Sequence, residues 1–151
     1  MAGVVDRLAA SPATLLHGDL RLDNLFFPAD AGAPPLVAVD WSNATRGPGP
    51  YDLAYFCCMA FTPAQRREHE DRLLRLYHDA LLERGVTGYG FDDCFDDYRL
   101  SFVEPFMRMF FLLVRGHADK GSDRPRRVLA RFVRHAAQAA LDLDVQALIE
   151  G

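Results

Sequence analysis

The sequence predicts an α+β fold that is mostly helical and carries one small β-hairpin. Three observations lead there. The chain changes character near residue 50: short β-type runs alternate with Gly/Pro/Asp loops before it, and helical patterning fills nearly everything after it. Two short apolar runs, 24–27 and 36–39, flank a turn-rich stretch at 28–35 (Pro-Ala-Asp-Ala-Gly-Ala-Pro-Pro). The 151 residues, 50% hydrophobic and 25% charged, suit one soluble domain with a real core.

Each element has a local reason. A short helix is expected over 3–10, ending before Ser11-Pro12, followed by strands at 14–17, 24–27 and 36–39. The prolines of Arg46-Gly47-Pro48-Gly49-Pro50 place 43–50 in a loop. A buried helix follows at 51–61. Thr62-Pro63-Ala64-Gln65 is a capping box with proline at the first helical position. It opens a helix with Leu73, Leu74, Tyr77, Ala80 and Leu81 on one face and a stop near Gly85. A third helical region runs from about 92 to 116 with an acidic start, and Pro105 kinks or splits it. Its second half is apolar nearly all round and reads as the central helix. The last long helix starts after Ser122 or Asp123, with Pro125 near its start and Val128, Leu129, Phe132, Val133 and Ala136 facing inward. A short helix closes the chain at 144–149.

Composition excludes several function classes. The net charge of -4 offers no electrostatic reason for a nucleic acid or an anionic membrane as partner. No signal-peptide pattern opens the chain, and the most apolar run, 106–114, is too short to span a bilayer. Cys57, Cys58 and Cys94 lack a C-x-x-C pair and read as buried free thiols, which fits a cytoplasmic protein. His69, His78, His117 and His135 lack metal-ligand spacing. Ser42 has no nucleophile-elbow context, and Gly47-Pro48-Gly49 lacks the N–H donors of a phosphate cradle. The arginines at 124, 126, 127, 131 and 134 read as a solvated helix face.

The chemistry concentrates in His17-Gly18-Asp19-Leu20-Arg21-Leu22-Asp23-Asn24 and in Asp40. If 24–27 and 36–39 pair as antiparallel strands, Asn24 and Asp40 are neighbours at one end of the hairpin, and Asp19 enters that end from the loop. Two carboxylates and an amide oxygen then converge. Magnesium takes such oxygen ligands together with phosphate oxygens and water. A remaining carboxylate can accept the proton of an attacking hydroxyl.

His-Gly-Asp-x-x-x-x-Asn followed by a strand ending in Asp resembles the catalytic loop and metal aspartate of protein-kinase-like enzymes. Gly18 in place of arginine is similar to the aminoglycoside phosphotransferase and choline kinase family, as are Val39-Asp40-Trp41 and Gly47 to Phe56 with its Asp52-Leu53-Ala54. The resemblance implies the C-terminal lobe of a kinase-like fold and an ATP- and Mg²⁺-dependent phosphotransferase acting on a small-molecule hydroxyl. It further implies Asp19 as catalytic base, Asn24 and Asp40 as magnesium and cofactor ligands, and His17 and Asp52 as structural supports. Arg21 is implied to lie near the transferring phosphate, an ordinary solvated arginine being the alternative. Residues 1–151 are expected to form a single domain, with 11–56 as the catalytic and metal-binding segment and 57–151 as the helical part. Asp92, Asp93, Asp96 and Asp97 read as a helix-start charge cluster in preference to a binding site for a cationic acceptor.

A nucleotide-covering β-rich lobe is expected to be absent. Sixteen residues precede His17, without a glycine loop, and the only lysine is Lys120. The chain alone is therefore expected to bind nucleotide weakly and to transfer phosphate poorly or not at all. The apolar face left open invites self-association or a separate N-terminal lobe. A non-catalytic binding module and a metal-dependent phosphoester hydrolase are the alternatives.

Overall fold

The computed structural model describes residues 2–28, 32, 36–115 and 123–150, and within them the chain builds two antiparallel strand pairs and seven α-helices. The first part runs through α1 (Ala2–Ala10), β1 (Ala13–Leu16), a 3-10 turn at Leu22–Asn24, β2 (Leu25–Phe26) and β3 (Val37–Ala38). A second 3-10 turn at Trp41–Asn43 leads into β4 (Thr45–Pro48) and α2 (Pro50–Ala60). The rest is α3 (Pro63–Glu83), α4 (Phe91–Leu100), α5 (Val103–Val114), α6 (Asp123–Asp142) and α7 (Val145–Glu150). No helix among the described residues is long and apolar enough to cross a membrane. Most of the expected 28–35 turn lies outside the described residues, as do His117, Lys120, Ser122 and the side chains of Arg124 and Pro125.

The expected hairpin forms, though shorter: β2 pairs with β3 in the register Leu25↔Ala38 and Phe26↔Val37. Asn24 belongs to the 3-10 turn rather than to the strand. The sequence places 43–50 in a loop, and here the structure differs. β4 pairs antiparallel with β1, from Ala13↔Pro48 to Leu16↔Thr45. Proline is tolerated because Pro48 stands at the last register position of a two-stranded pair, where a missing N–H breaks no internal ladder. Gly49 then lets the chain pass tightly over α3, since a Cβ there would lie 1.8 Å from the Tyr77 hydroxyl oxygen.

The capping box holds as read. The Gln65 N–H donates to Thr62 Oγ1 at 3.3 Å, and the Thr62 N–H donates to Gln65 Oε1 at 3.0 Å. The third helical region splits at Ser101 and Phe102, which puts Pro105 in the first turn of α5, where N–H groups have no intrahelical partner.

The central helix is not α5. α2 packs against α3, α4 and α6 and supplies Ala54, Tyr55 and Cys58 to the core, which Leu74, Cys94, Tyr98, Phe102, Phe132, Ala136 and Ala139 complete. α5 lies outside, packed chiefly against α6, with Phe111 50% and Val114 65% exposed. An apolar pattern all round a helix does not choose which side is covered, and α6 covers only one. On α6, Phe132 and Ala136 face inward as expected, whereas Val128 is exposed; Arg126, Arg127, Arg131 and Arg134 form the solvated face. All three cysteines are free and buried. Arg66, 2% exposed, joins α3 to α6 through ion pairs with Glu70 and Asp142, a buried link that no pattern announces.

Candidate active site

Hydrogen bonds to α2 and to the hairpin tie the loop from His17 to Asn24 to its surroundings. Asp52, in the first turn of α2, accepts the His17 N–H at 2.6 Å on one carboxylate oxygen and the Gly18 N–H at 2.9 Å on the other. Gly18 has φ +77°, and a Cβ there would lie 2.3 Å from the Asn43 carbonyl oxygen. Only glycine fits this crossing of the loop with the second 3-10 turn. His17 Nδ1 accepts the Asp19 N–H at 3.3 Å, which leaves Nε2 as the protonated nitrogen, donating to the Val39 carbonyl at 2.8 Å. The Val39 N–H in turn donates to the Asn24 carbonyl at 3.0 Å.

Both backbone groups of Val39 are therefore engaged by the His17–Asn24 loop, and the Trp41 ring lies tilted against that of His17 with centroids 4.7 Å apart. Asp40, between them, is held at the hairpin end beside Asn24. It adopts the left-handed conformation, φ 61° and ψ 63°, which is uncommon outside glycine and tolerated by aspartate. Its exposed carboxylate accepts the Ser42 hydroxyl at 2.6 Å. That bond, then a bond from the Ser42 backbone N–H, and then the charges of His17 and Arg21 hold its pKa below the usual carboxylate range.

Asp19 is half-buried. Its Oδ2 accepts from Asn24 Nδ2 at 3.2 Å and faces Arg21 Nε at 3.3 Å, and the same Asn24 nitrogen also donates to the Asp19 carbonyl at 2.9 Å. Arg21 also pairs with Asp23 at 3.4 Å.

Tyr55 is the member that sequence reading passed over. Its phenol donates to Asp19 Oδ1 at 2.7 Å. Burial first, then the bond to Asp19, push the phenol well above its ordinary pKa, so the hydroxyl keeps its proton. The signal was available: Tyr55 stands three residues after Asp52, on the same face of α2. Around this group lies a cleft of about 360 Å³, lined by Asp19, Arg21 and Tyr55 at one end and by Met59, Leu129 and Phe132 among its apolar walls. Arg108 of α5 also lines it, with its guanidinium 5.9 Å from the Tyr55 ring centre and bonded to Tyr51 at 3.1 Å.

The four aspartates of α4 stand apart from this cleft. Asp93 accepts the Gly90 N–H, Asp96 pairs with Arg99, and buried Asp97 accepts the Ser11 and Tyr89 hydroxyls. Asp93, Asp96 and Asp97 line a separate cavity that shares no residue with the first. Asp92 belongs to the exposed first turn.

The two candidate metal ligands, Asn24 and Asp40, offer an amide oxygen and a carboxylate. Among the described residues no group of three or more His, Cys, Asp or Glu side chains could hold a metal. One carboxylate and one amide oxygen do not form a closed protein cage. They fit a magnesium ion that takes its remaining ligands from nucleotide phosphates and water.

A stretch of 51 residues, 34% of the chain, is 43% identical to "Acyl-CoA dehydrogenase family member 10" of Mus musculus, and it spans only 5% of that protein's length. No solved structure matches. The sequence pattern of the ecdysteroid kinase-like family matches residues 1–86, which takes in the catalytic loop, the hairpin, α2 and α3. This match supports the wider protein-kinase-like superfamily and does not single out the aminoglycoside phosphotransferase and choline kinase family. With 86 of its 151 residues matched, the chain belongs to the ecdysteroid kinase-like family, within the protein-kinase-like superfamily.

Proposed function

We propose that this chain carries the base and the metal ligands of an ATP-dependent phosphotransferase that acts on a hydroxyl group of a small molecule. The observation that carries the reading is the double engagement of Val39 by Asn24 and His17, which holds Asp40 at the hairpin end beside the Asp19–Asn24 pair. Asp19 orients the acceptor hydroxyl and takes its proton as the alcohol oxygen bonds to the γ-phosphorus. The bond from that phosphorus to the bridging β-oxygen breaks, and ADP leaves. Asn24 and Asp40 would hold Mg²⁺, which when bound supplies charge neutralisation at the phosphate oxygens. Arg21, half-buried against Asp19, is placed to meet negative charge on the transferring group. His17 and Asp52 act through the backbone bonds that shape the loop.

The acceptor enters the cleft beside Asp19. Its walls of Met59, Leu129 and Phe132 favour an alcohol with an apolar body, and the separate position of the α4 aspartates gives a cationic acceptor no support from them. The described residues hold no glycine loop over the phosphates. Full activity therefore requires a nucleotide-covering lobe, in the same polypeptide or supplied separately.

The test is transfer of label from Mg·[γ-³²P]ATP to a panel of small alcohols, with the chain alone and with a relative's nucleotide-covering lobe added. The expected result is weak or absent transfer alone, clear transfer with the lobe, and loss of both on Asp19→Asn. No transfer in either case would favour a binding module. Phosphoester hydrolysis without nucleotide would favour a hydrolase.

A further inference from the structure

We propose that Tyr55 is a positioning residue for phosphotransfer: its phenol O–H, donated at 2.7 Å to Asp19 Oδ1, locks the carboxylate in the orientation that turns Oδ2 toward Asn24 and Arg21. The inference rests on the phosphotransferase reading above and adds to it a residue outside the catalytic loop.

The terminal torsion of an aspartate is soft, so a base carboxylate needs more than one hold to keep one orientation. Asn24 supplies a weak one, since its 3.2 Å contact to Oδ2 is long. Arg21 Nε lies 3.3 Å from the same oxygen yet is left without a hydrogen-bond partner. The Tyr55 bond is the shortest contact that either oxygen makes, and it fixes the opposite oxygen. The ring that carries the hydroxyl cannot wander. It is 4% exposed, tilts against Phe132 with centroids 5.3 Å apart, and has the Arg108 guanidinium 5.9 Å from its centre. Tyr55 thus transmits the rigidity of the core to the carboxylate. Misplacement of a base by a fraction of an ångström costs rate, which makes this hold matter for turnover more than for binding.

The experiment uses the full chain carrying Tyr55→Phe, which removes the hydroxyl and keeps the ring. Hydrogen exchange of the Asn24 side-chain amide, followed by NMR, reports the carboxylate without any need for turnover. The expected result is exchange at least severalfold faster, with the backbone amide spectrum and the thermal midpoint close to those of the parent. In the mixture that shows phosphotransfer, kcat falls roughly ten- to hundredfold, the value of one charge-assisted hydrogen bond, while KM for nucleotide and acceptor changes by less than about threefold. Unchanged Asn24 exchange overturns the proposal, as does a fall in stability that moves KM and kcat together. If the parent shows no turnover at all, the phosphotransferase reading fails and the exchange arm still decides the role of Tyr55. Should the phenylalanine variant not fold, 3-fluorotyrosine at position 55 replaces it. Its ¹⁹F resonance is expected to move on Asp19→Asn, and an unmoved resonance overturns the proposal.

Discussion

Removing the Asp52 carboxylate is expected to loosen the catalytic loop before it disturbs the helical core. Asp52 makes two charge-assisted bonds, 2.6 Å to the His17 N–H and 2.9 Å to the Gly18 N–H, and both of those residues are buried. Each such bond contributes about 1.5–3 kcal/mol, and a buried N–H left without an acceptor carries its own desolvation penalty. Asp52→Ala should therefore cost about 3–6 kcal/mol, a large share of the ~5–15 kcal/mol that holds a domain together. Asp52→Asn retains one acceptor oxygen and turns an amide N–H₂ toward the second donor, so it should fall between the variant and the parent. Urea unfolding measures the total, with m unchanged and the midpoint lowered. Amide exchange at His17 and Gly18 measures the loop directly and should accelerate more than exchange in α3 or α6. A loss below about 0.5 kcal/mol, the range of ordinary surface substitutions, would refute the claim that this carboxylate holds the loop.

Gly18→Ala should lose about 2 kcal/mol or more, because it combines a left-handed backbone with a Cβ 2.3 Å from the Asn43 carbonyl oxygen; a urea midpoint equal to the parent's would contradict this. Arg66→Ala should cost about 3–5 kcal/mol by leaving Glu70 and Asp142 without their buried partner, read as a fall in the urea midpoint. Burial pushes Asp142 upward, but hydrogen bonds from Gln138 and Arg67 and the charge of Arg66 outweigh it and leave its pKa low. The native state thus favours the ionised form. That stability is present above the unfolded value near ~4 and is lost as pH falls through the native value, so Asp142→Asn should flatten the acid limb of stability against pH. Cys57, Cys58 and Cys94 should resist a thiol reagent at pH ~8 in the native chain and all react in denaturant, since burial pushes Cys57 and Cys94 to about 11 and Cys58 higher still. Rapid native reaction of any one would contradict their burial.

The legible parts of this molecule are those decided by neighbours in sequence. The capping box at Thr62, the split before Pro105 and the β2–β3 hairpin depend on local backbone chemistry, and each forms where it is read. The hairpin also brings the Val39 N–H onto the Asn24 carbonyl, so the backbone outline around the proposed ligands Asn24 and Asp40 is legible too. β4 was not, because Gly47 and Pro48 argue for a loop and only pairing with the distant β1 overrides them. Apolarity leaves open whether α5 or α2 is central, and the packing of α3, α4 and α6 against α2 decides it. Arg66 and Asp142 lie 76 residues apart and leave no periodic trace. Tyr55 and Asp19 lie 36 apart, and only the spacing of Tyr55 from Asp52 on α2 hints at that pair.

The proposed phosphotransfer requires one metal-nucleotide pocket at Asn24 and Asp40, beside Asp19. Paramagnetic broadening by Mn²⁺ with ATP, recorded over the backbone and side-chain amides, locates that pocket directly. The predicted result is broadening centred on the Asn24 side chain and on residues 39–41, abolished by Asp40→Asn. Broadening centred on Asp93, Asp96 and Asp97 instead, or none anywhere, would contradict it.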